Sequence, residues 1–209
     1  MPQQYSPNML KTYELCPRKF YYRYLKNISM PTNDDIFEFG KNIHALAAYY
    51  LNKNNVDLME KSLTPKETET WNYLKSIKYF SYEFVEAEYN LAHKINNKFF
   101  GGRLDALVKN EDTYYILDYK TGAIPKNPKY DFQTMIYSLC VSELYKTNNV
   151  VFVYIDLKSK SDVQVKLSED LKHEYIKKLE DVVEKIETND FLLNKKKKDC
   201  ACEYSIMCY

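Results

Sequence analysis

The sequence predicts an α/β fold, a central mixed sheet of about five strands flanked by helices. Three observations lead there. Helix-length amphipathic segments and strand-length β-branched or aromatic segments run in the order helices, three strands, helix, two strands, helix. That order lacks the regular alternation of a doubly wound sheet. The 209 residues, 45% hydrophobic and 28% charged, are enough for a packed core and fit one domain spanning 1–209.

Taken in order, Ser6-Pro7 offers an N-cap and a first-turn proline for a basic, aromatic helix over 6–26. Residues 36–53 carry Phe37, Ile43, Ala47 and Leu51 close to a helical stripe, and 67–78 reads as a third helix. The pattern then turns to strands at 84–91, 98–109 and 113–119, with Asn110-Glu-Asp112 as a polar hairpin turn. A helix over 130–146 follows, then strands at 150–157 and 162–167 around a Lys-Ser-Lys-Ser turn. A charged amphipathic helix over about 168–189 closes the pattern, and the basic run 195–198 reads as a solvated segment.

Composition excludes several classes. A net charge of +1 gives no global basic field, so nucleic-acid contact must come from local patches. Only four glycines occur, at 40, 101, 102 and 122, which excludes fibrous and linker-dominated architectures. The start of the chain lacks a signal-peptide pattern and no window suits a membrane span, so the expectation is a cytoplasmic protein without a membrane partner.

The cysteines are unevenly placed. Cys140 sits in an apolar helical pattern with Met135, Ile136, Leu139 and Leu144 and reads as a buried small hydrophobe. Cys200, Cys202 and Cys208 crowd the last ten residues, and Cys16 lies near the start. In a reducing compartment three close thiols point to metal ligation, and with Cys16 the count suits a tetrahedral Zn²⁺ or a cubane iron–sulfur cluster. Unpaired tail thiols are the bland alternative.

The carboxylates are more specific. Ile116-Leu-Asp-Tyr-Lys-Thr-Gly122 puts Asp118 and Lys120 two apart at the end of an apolar strand, hence on one face. Asp105, in Gly101-Gly-Arg-Leu-Asp, can converge with Asp118 if the two strands pair as a hairpin. Ions on the inward face of so apolar a strand are costly unless partnered. Two acids and a lysine there can hold Mg²⁺ or Mn²⁺ and assist phosphate hydrolysis, or they form a structural ion pair; these residues alone leave both readings open. His44 lies one turn after Gly40 in a helix, where a satisfied core histidine is the common outcome. Gln133 and Tyr137 share one helical face just after the lysine strand.

In order, these residues resemble the RecB-type nucleases of the PD-(D/E)xK superfamily over nearly the whole chain. The resemblance runs from Tyr13-Glu-Leu-Cys-Pro-Arg-Lys-Phe-Tyr-Tyr, through Gly40…His44, Gly102-Arg-Leu-Asp105 and Asp118-Tyr-Lys120-Thr-Gly122, to Gln133…Tyr137 and the terminal cysteines. It implies a restriction-endonuclease-like core, with divalent metal bound by His44, Asp105, Asp118 and the Tyr119 carbonyl. It implies Lys120 as the catalytic lysine, with Asp105 and Asp118, and Gln133 and Tyr137 supporting the DNA strand. Glu86 stands where members often carry an acid. In the iron–sulfur subgroup an early cysteine and a terminal trio hold a [4Fe–4S] cluster. Cys16, Cys202 and Cys208 match that pattern, whereas Asp199 occupies the remaining position and Cys200 comes one residue late. Residues 1–30 and 190–209 would then form a cluster subdomain joining the chain ends.

In size and layout the chain is similar to the small CRISPR-adaptation exonucleases of this family, and phage and plasmid exonucleases share the pattern. The expected function is metal-dependent DNA hydrolysis, on single-stranded or frayed ends, with a CRISPR-adaptation integrase as a possible partner. Arg18 and Arg23, with Lys19 and the interleaved aromatics Phe20, Tyr21, Tyr22 and Tyr24, are expected DNA contacts. A non-catalytic DNA-binding or docking module on the same fold and a zinc-stabilised structural protein are the alternatives.

Overall fold

The protein is described from a computed structural model covering residues 2–30, 38–189, 191 and 202–208. A two-residue strand, β1 (Gln4–Tyr5), precedes helix α1 (Pro7–Leu15). The helix starts at the expected cap: Ser6 Oγ accepts the Met9 amide at 3.3 Å, and Pro7 fills the first turn. It stops at Cys16, whose φ of −160° is extended, because a residue before proline is pushed out of the helical region. The chain resumes as α2 (Pro17–Phe20) and passes into a π-helical turn at Tyr21–Leu25. The single helix predicted over 6–26 is therefore three segments.

Helix α3 (Glu38–Leu51), α4 (Asp57–Lys61) and α5 (Pro65–Ser76) follow. Five residues are too few for α4 to show a periodicity, and the sequence reading lacks it. In α5 the Thr64 hydroxyl and the Glu67 carboxylate cap each other's backbone amides.

Strands β2 (Glu83–Ile95), β3 (Lys98–Asn110) and β4 (Thr113–Lys120) form an antiparallel meander. After α6 (Phe132–Tyr145), β5 (Val150–Asp156) joins β4 in parallel and β6 (Ser161–Lys166) pairs with β5. Helix α7 (Glu169–Thr188) is capped by Ser168. The sheet has six strands rather than about five, because β1 adds in parallel to β3 through Gln4↔Phe99 and Tyr5↔Phe100. Two residues carry no alternation for a reader to find.

This arrangement leaves a gap. Strand β2 lies along the whole of β3. The opposite edge of β3 is shared by β1 at residues 99–100 and by β4 from Ala106 onward, so 101–105 have no strand partner there. Helix α6 fills that edge with side chains: the Tyr137 hydroxyl donates to Arg103 O at 3.1 Å. Buried Cys140 lies with its Sγ 3.6 Å from Phe100 O.

Two cores sandwich the sheet. One face (Leu107, Ile116, Phe152, Tyr154) packs on α6 and α7 through Ile136, Val141 and Leu179. The other (Ala106, Val108, Leu117, Val153, Ile155) packs on α3 and α5 through Ile43, Leu46, Trp71 and Leu74. Asp105 within β3 and Asp118 and Lys120 at the end of β4 thus lie between two apolar layers.

The chain ends meet. Tyr22 stacks on Tyr204 and donates to Met207 O at 2.6 Å; Tyr204 donates to Ile28 O at 2.7 Å; Lys19 pairs with Glu203 at 3.0 Å. Phe191 stacks on Phe20 and Tyr21.

Candidate metal centre

The site forms where the β3–β4 ladder ends. The last paired residues are Ala106↔Leu117, so Asp105 and Asp118 come next, facing each other. Asp105 uses Oδ2 to accept the Tyr119 amide at 2.8 Å, in place of a strand partner's carbonyl. Its Oδ1 lies 3.3 Å from His44 Nδ1, and His44 Nε2 lies 3.1 Å from Tyr119 O. The His44 ring meets the Tyr119 ring edge-on at 5.3 Å between centroids. Asp105, His44 and the Tyr119 carbonyl are therefore one connected unit.

Asp118 and Lys120 face α6 together, as their spacing predicts. Lys120 Nζ lies 2.7 Å from Asp118 Oδ2 and donates to Gln133 Oε1 at 2.9 Å, while Gln133 Nε2 donates to Asp118 Oδ1 at 3.0 Å. Gln133 stands at the first turn of α6 because Asp131 caps that helix by accepting the Gln133 amide. Tyr137, one turn on, lies over Gly102, where a Cβ would come 2.6 Å from the phenol oxygen. Gly101 is just as constrained, since a Cβ would sit 2.0 Å from Leu91 O. Gly40 and Gly122 have open or ordinary surroundings, so of the four glycines near this site two are sterically required.

The structure adds an acid. Glu88 stands between the pairs Ala87↔Ala106 and Tyr89↔Leu104, opposite Asp105, with a φ of 50°. Its Oε1 lies 3.9 Å from His44 Nδ1, and its Oε2 accepts from Arg103 Nε at 2.5 Å. His44, Glu88 and Asp105 can bring one ligand atom each within 4.8 Å of the others. Glu86, singled out from the sequence, is outside that group. In Val-Glu-Ala-Glu both acids share a strand face, and only the register to β3 selects the second. His44, Glu86, Glu88, Arg103 and Lys120 line a groove of about 1080 Å³ between α3 and β2, which Lys41, Tyr49 and Thr121 also border.

The electrostatics fit a cation. Burial, then the facing Asp105, raises the Asp118 carboxyl to about 6, against the pull of Lys120 and His44. Burial opposes charge on His44, but Asp105, the Tyr119 carbonyl and Glu88 outweigh it and raise its pKa. Burial, then Asp118 and Asp105, pushes the Tyr137 phenol upward, so it remains a donor. Crowded acids with an imidazole and a main-chain oxygen are a hard donor set suited to Mg²⁺ or Mn²⁺.

The expected DNA-contact arginines lie elsewhere. Arg18 is 8% exposed, so it presents little side-chain surface to a phosphate. Phe20 is wholly buried, another aromatic claimed by the core. Arg23 is exposed, over the Tyr24 ring at 5.6 Å, and lines a separate cleft with Asn27, Ile28 and Glu203. Cys16, Cys202 and Cys208 are half-buried, and Cys200 lies outside the described residues. Among the described residues the three thiols do not make a compact group of the kind His44, Glu88 and Asp105 form. Cys202 adjoins Glu203, the partner of Lys19, which is three residues from Cys16.

A mixed sheet with a histidine, facing carboxylates and a lysine at the end of its central hairpin defines a restriction-endonuclease-like fold of the nuclease type. The chain belongs to the PD-(D/E)XK nuclease superfamily, whose family model matches residues 4–209. The CRISPR-associated exonuclease Cas4 of Francisella tularensis subsp. novicida (strain U112) is 22% identical over 184 residues, covering 88% of this chain and 81% of that protein. A crystal structure from Eubacterium rectale, whose exonuclease designation is itself provisional, shares the fold. Its TM-score is 0.55 at 8% identity, over 98% of this chain and 92% of that one. Among the described residues no helix is long and apolar enough to cross a membrane.

Proposed function

We propose that the protein is a deoxyribonuclease dependent on Mg²⁺ or Mn²⁺ that hydrolyses phosphodiester bonds at single-stranded or frayed DNA ends. The observation that carries this is Lys120, held between Asp118 and Gln133 beside the His44–Asp105–Glu88 group. In this reading His44, Asp105, Asp118 and the Tyr119 carbonyl are the metal ligands, and Glu88 completes the set. The cation, when bound, supplies Lewis-acid polarisation of the phosphate and activation of water. Lys120 orients the attacking water and offsets charge developing on the phosphoryl oxygens. Gln133 holds the Lys120–Asp118 pair in register. Tyr137 fixes the Arg103 carbonyl, and so the run of β3 into Asp105.

A [4Fe–4S] cluster on Cys16, Cys200, Cys202 and Cys208 is proposed to staple the chain ends, with zinc as the lesser alternative. The Tyr22–Tyr204 and Lys19–Glu203 contacts support it, because they draw the two cysteine-bearing segments into one layer. The role proposed is trimming of DNA for CRISPR adaptation beside an integrase, or processing of phage or plasmid DNA. The Francisella relative supports the former. Protein purified anaerobically should carry iron and sulfide, and should degrade end-labelled single strands only with Mg²⁺ or Mn²⁺ present. Binding of DNA without cleavage in any metal would instead mean a docking module on this fold.

A further inference from the structure

We propose that Arg103 is a phosphate-binding residue for the DNA strand, with Glu88 as the partner it exchanges for a phosphate. The inference rests on the nuclease reading above and names a residue that the metal–lysine arrangement does not use. Arg103 is in the groove wall, and its side chain is 63% exposed although its backbone is pinned by Tyr137. Among the described residues its charge partner is Glu88, reached through Nε. A guanidinium carries five N–H donors, so the four on its terminal nitrogens are left for an anion. A fork of that shape matches phosphate oxygens better than a lysine does.

Its partner has a second role. Glu88 Oε1 points toward His44 while Oε2 holds Arg103, so one carboxylate faces both the metal group and the arginine. The φ of 50° at Glu88, a region that L-residues other than asparagine and aspartate seldom adopt, aims the carboxylate at that junction. A cation held by His44, Glu88 and Asp105 would share the Glu88 carboxylate with the guanidinium and so weaken its hold on Oε2. With the site loaded, Arg103 would be the more readily drawn to a phosphate in the groove. Arginine and carboxylate on neighbouring strands would otherwise be an ordinary exposed pair, worth about 0–1 kcal/mol.

Equilibrium binding of a fluorescein-labelled thymidine oligonucleotide, measured by anisotropy, tests this without turnover. In Ca²⁺, Arg103→Gln should weaken binding about tenfold and lower the salt slope by about one. In EDTA, Glu88→Gln should tighten binding several-fold, and that gain should vanish when Arg103→Gln is added. A gain that survives in the double variant would mean only that a repelling charge was removed, and the proposal falls. It falls equally if Arg103→Gln binds as the parent does while the parent still cleaves DNA. A parent that neither binds nor cleaves would instead overturn the nuclease reading. Unchanged melting temperatures confirm that these substitutions leave the fold intact, and Arg103→Lys should recover the salt slope but only part of the affinity.

Discussion

Asp105 accepts the backbone amide of Tyr119 at 2.8 Å, across the point where their strands stop pairing. A side-chain carboxylate thus does the work of a ladder carbonyl. The same Tyr119 presents its own carbonyl to His44 at 3.1 Å. Three of the proposed ligands are consequently positioned by main-chain hydrogen bonding, and a buried acceptor of this kind is costly to remove.

Lys120→Ala and Asp118→Ala should each lower kcat by at least about a hundredfold, with far-ultraviolet circular dichroism unchanged. Gln133→Ala should cost less, about ten- to a hundredfold, since it removes the brace and leaves the reacting groups. Cleavage at parental rate by Lys120→Ala would remove the basis for the assignment.

Without metal, stability should fall as pH rises from about 4 to about 7. Asp118 titrates at about 6 in the folded chain against an ordinary value of 3.8. Between those values the folded state binds more protons than the unfolded one, so raising the pH favours unfolding. At 1.36 kcal/mol per unit the loss reaches at most about 3 kcal/mol. His44 acts in the same direction: its raised pKa contributes stability below its unfolded value, lost as pH climbs through the folded one. Thermal melts across pH should therefore slope downward, Asp118→Asn should flatten them, and Mn²⁺ should restore the neutral-pH melting temperature.

Gly102→Ala should destabilise the protein by about 1–3 kcal/mol by driving a methyl group into the Tyr137 hydroxyl. Tyr137→Phe should cost about 1 kcal/mol through the orphaned Arg103 carbonyl. Together they should cost less than their sum, because the phenylalanine removes the colliding oxygen. Denaturant melts of the four proteins check this, and strict additivity would contradict it.

Tyr204→Ala should loosen the C-terminal segment, losing both the stack on Tyr22 and the hydrogen bond to Ile28 O. Limited proteolysis should then cut there several-fold faster, while the core melts near its original temperature.

Much was legible in the residues themselves. Ser6-Pro7 and Ser168 marked helix starts because capping is local chemistry, satisfied within three residues. The alternation in Ile116–Lys120 put Asp118 and Lys120 on one face, since the period of a strand follows from its backbone alone. The lysine, the two aspartates and the glutamine were readable for that reason, and the ordered motifs placed the chain in its family. The break at Cys16-Pro17 was present in the sequence too, in the residue before proline, but the basic and aromatic run around it reads as one helix.

Tertiary structure decided the rest. Glu86 and Glu88 are equivalent in sequence, and the place of Glu88 between the Ala87↔Ala106 and Tyr89↔Leu104 pairs, beside Asp105, separates them. Arg18 and Arg23 are equally basic, and packing buries one and exposes the other. The gap at 101–105, closed by Tyr137, exists because β1 and β4 share one edge of β3, which no local pattern encodes. By itself the sequence determined which titratable groups share a strand or helix face, because residue type and period act over a few bonds. Which of them meet was decided by strand register and long-range packing, whose energies arise between residues far apart in the chain.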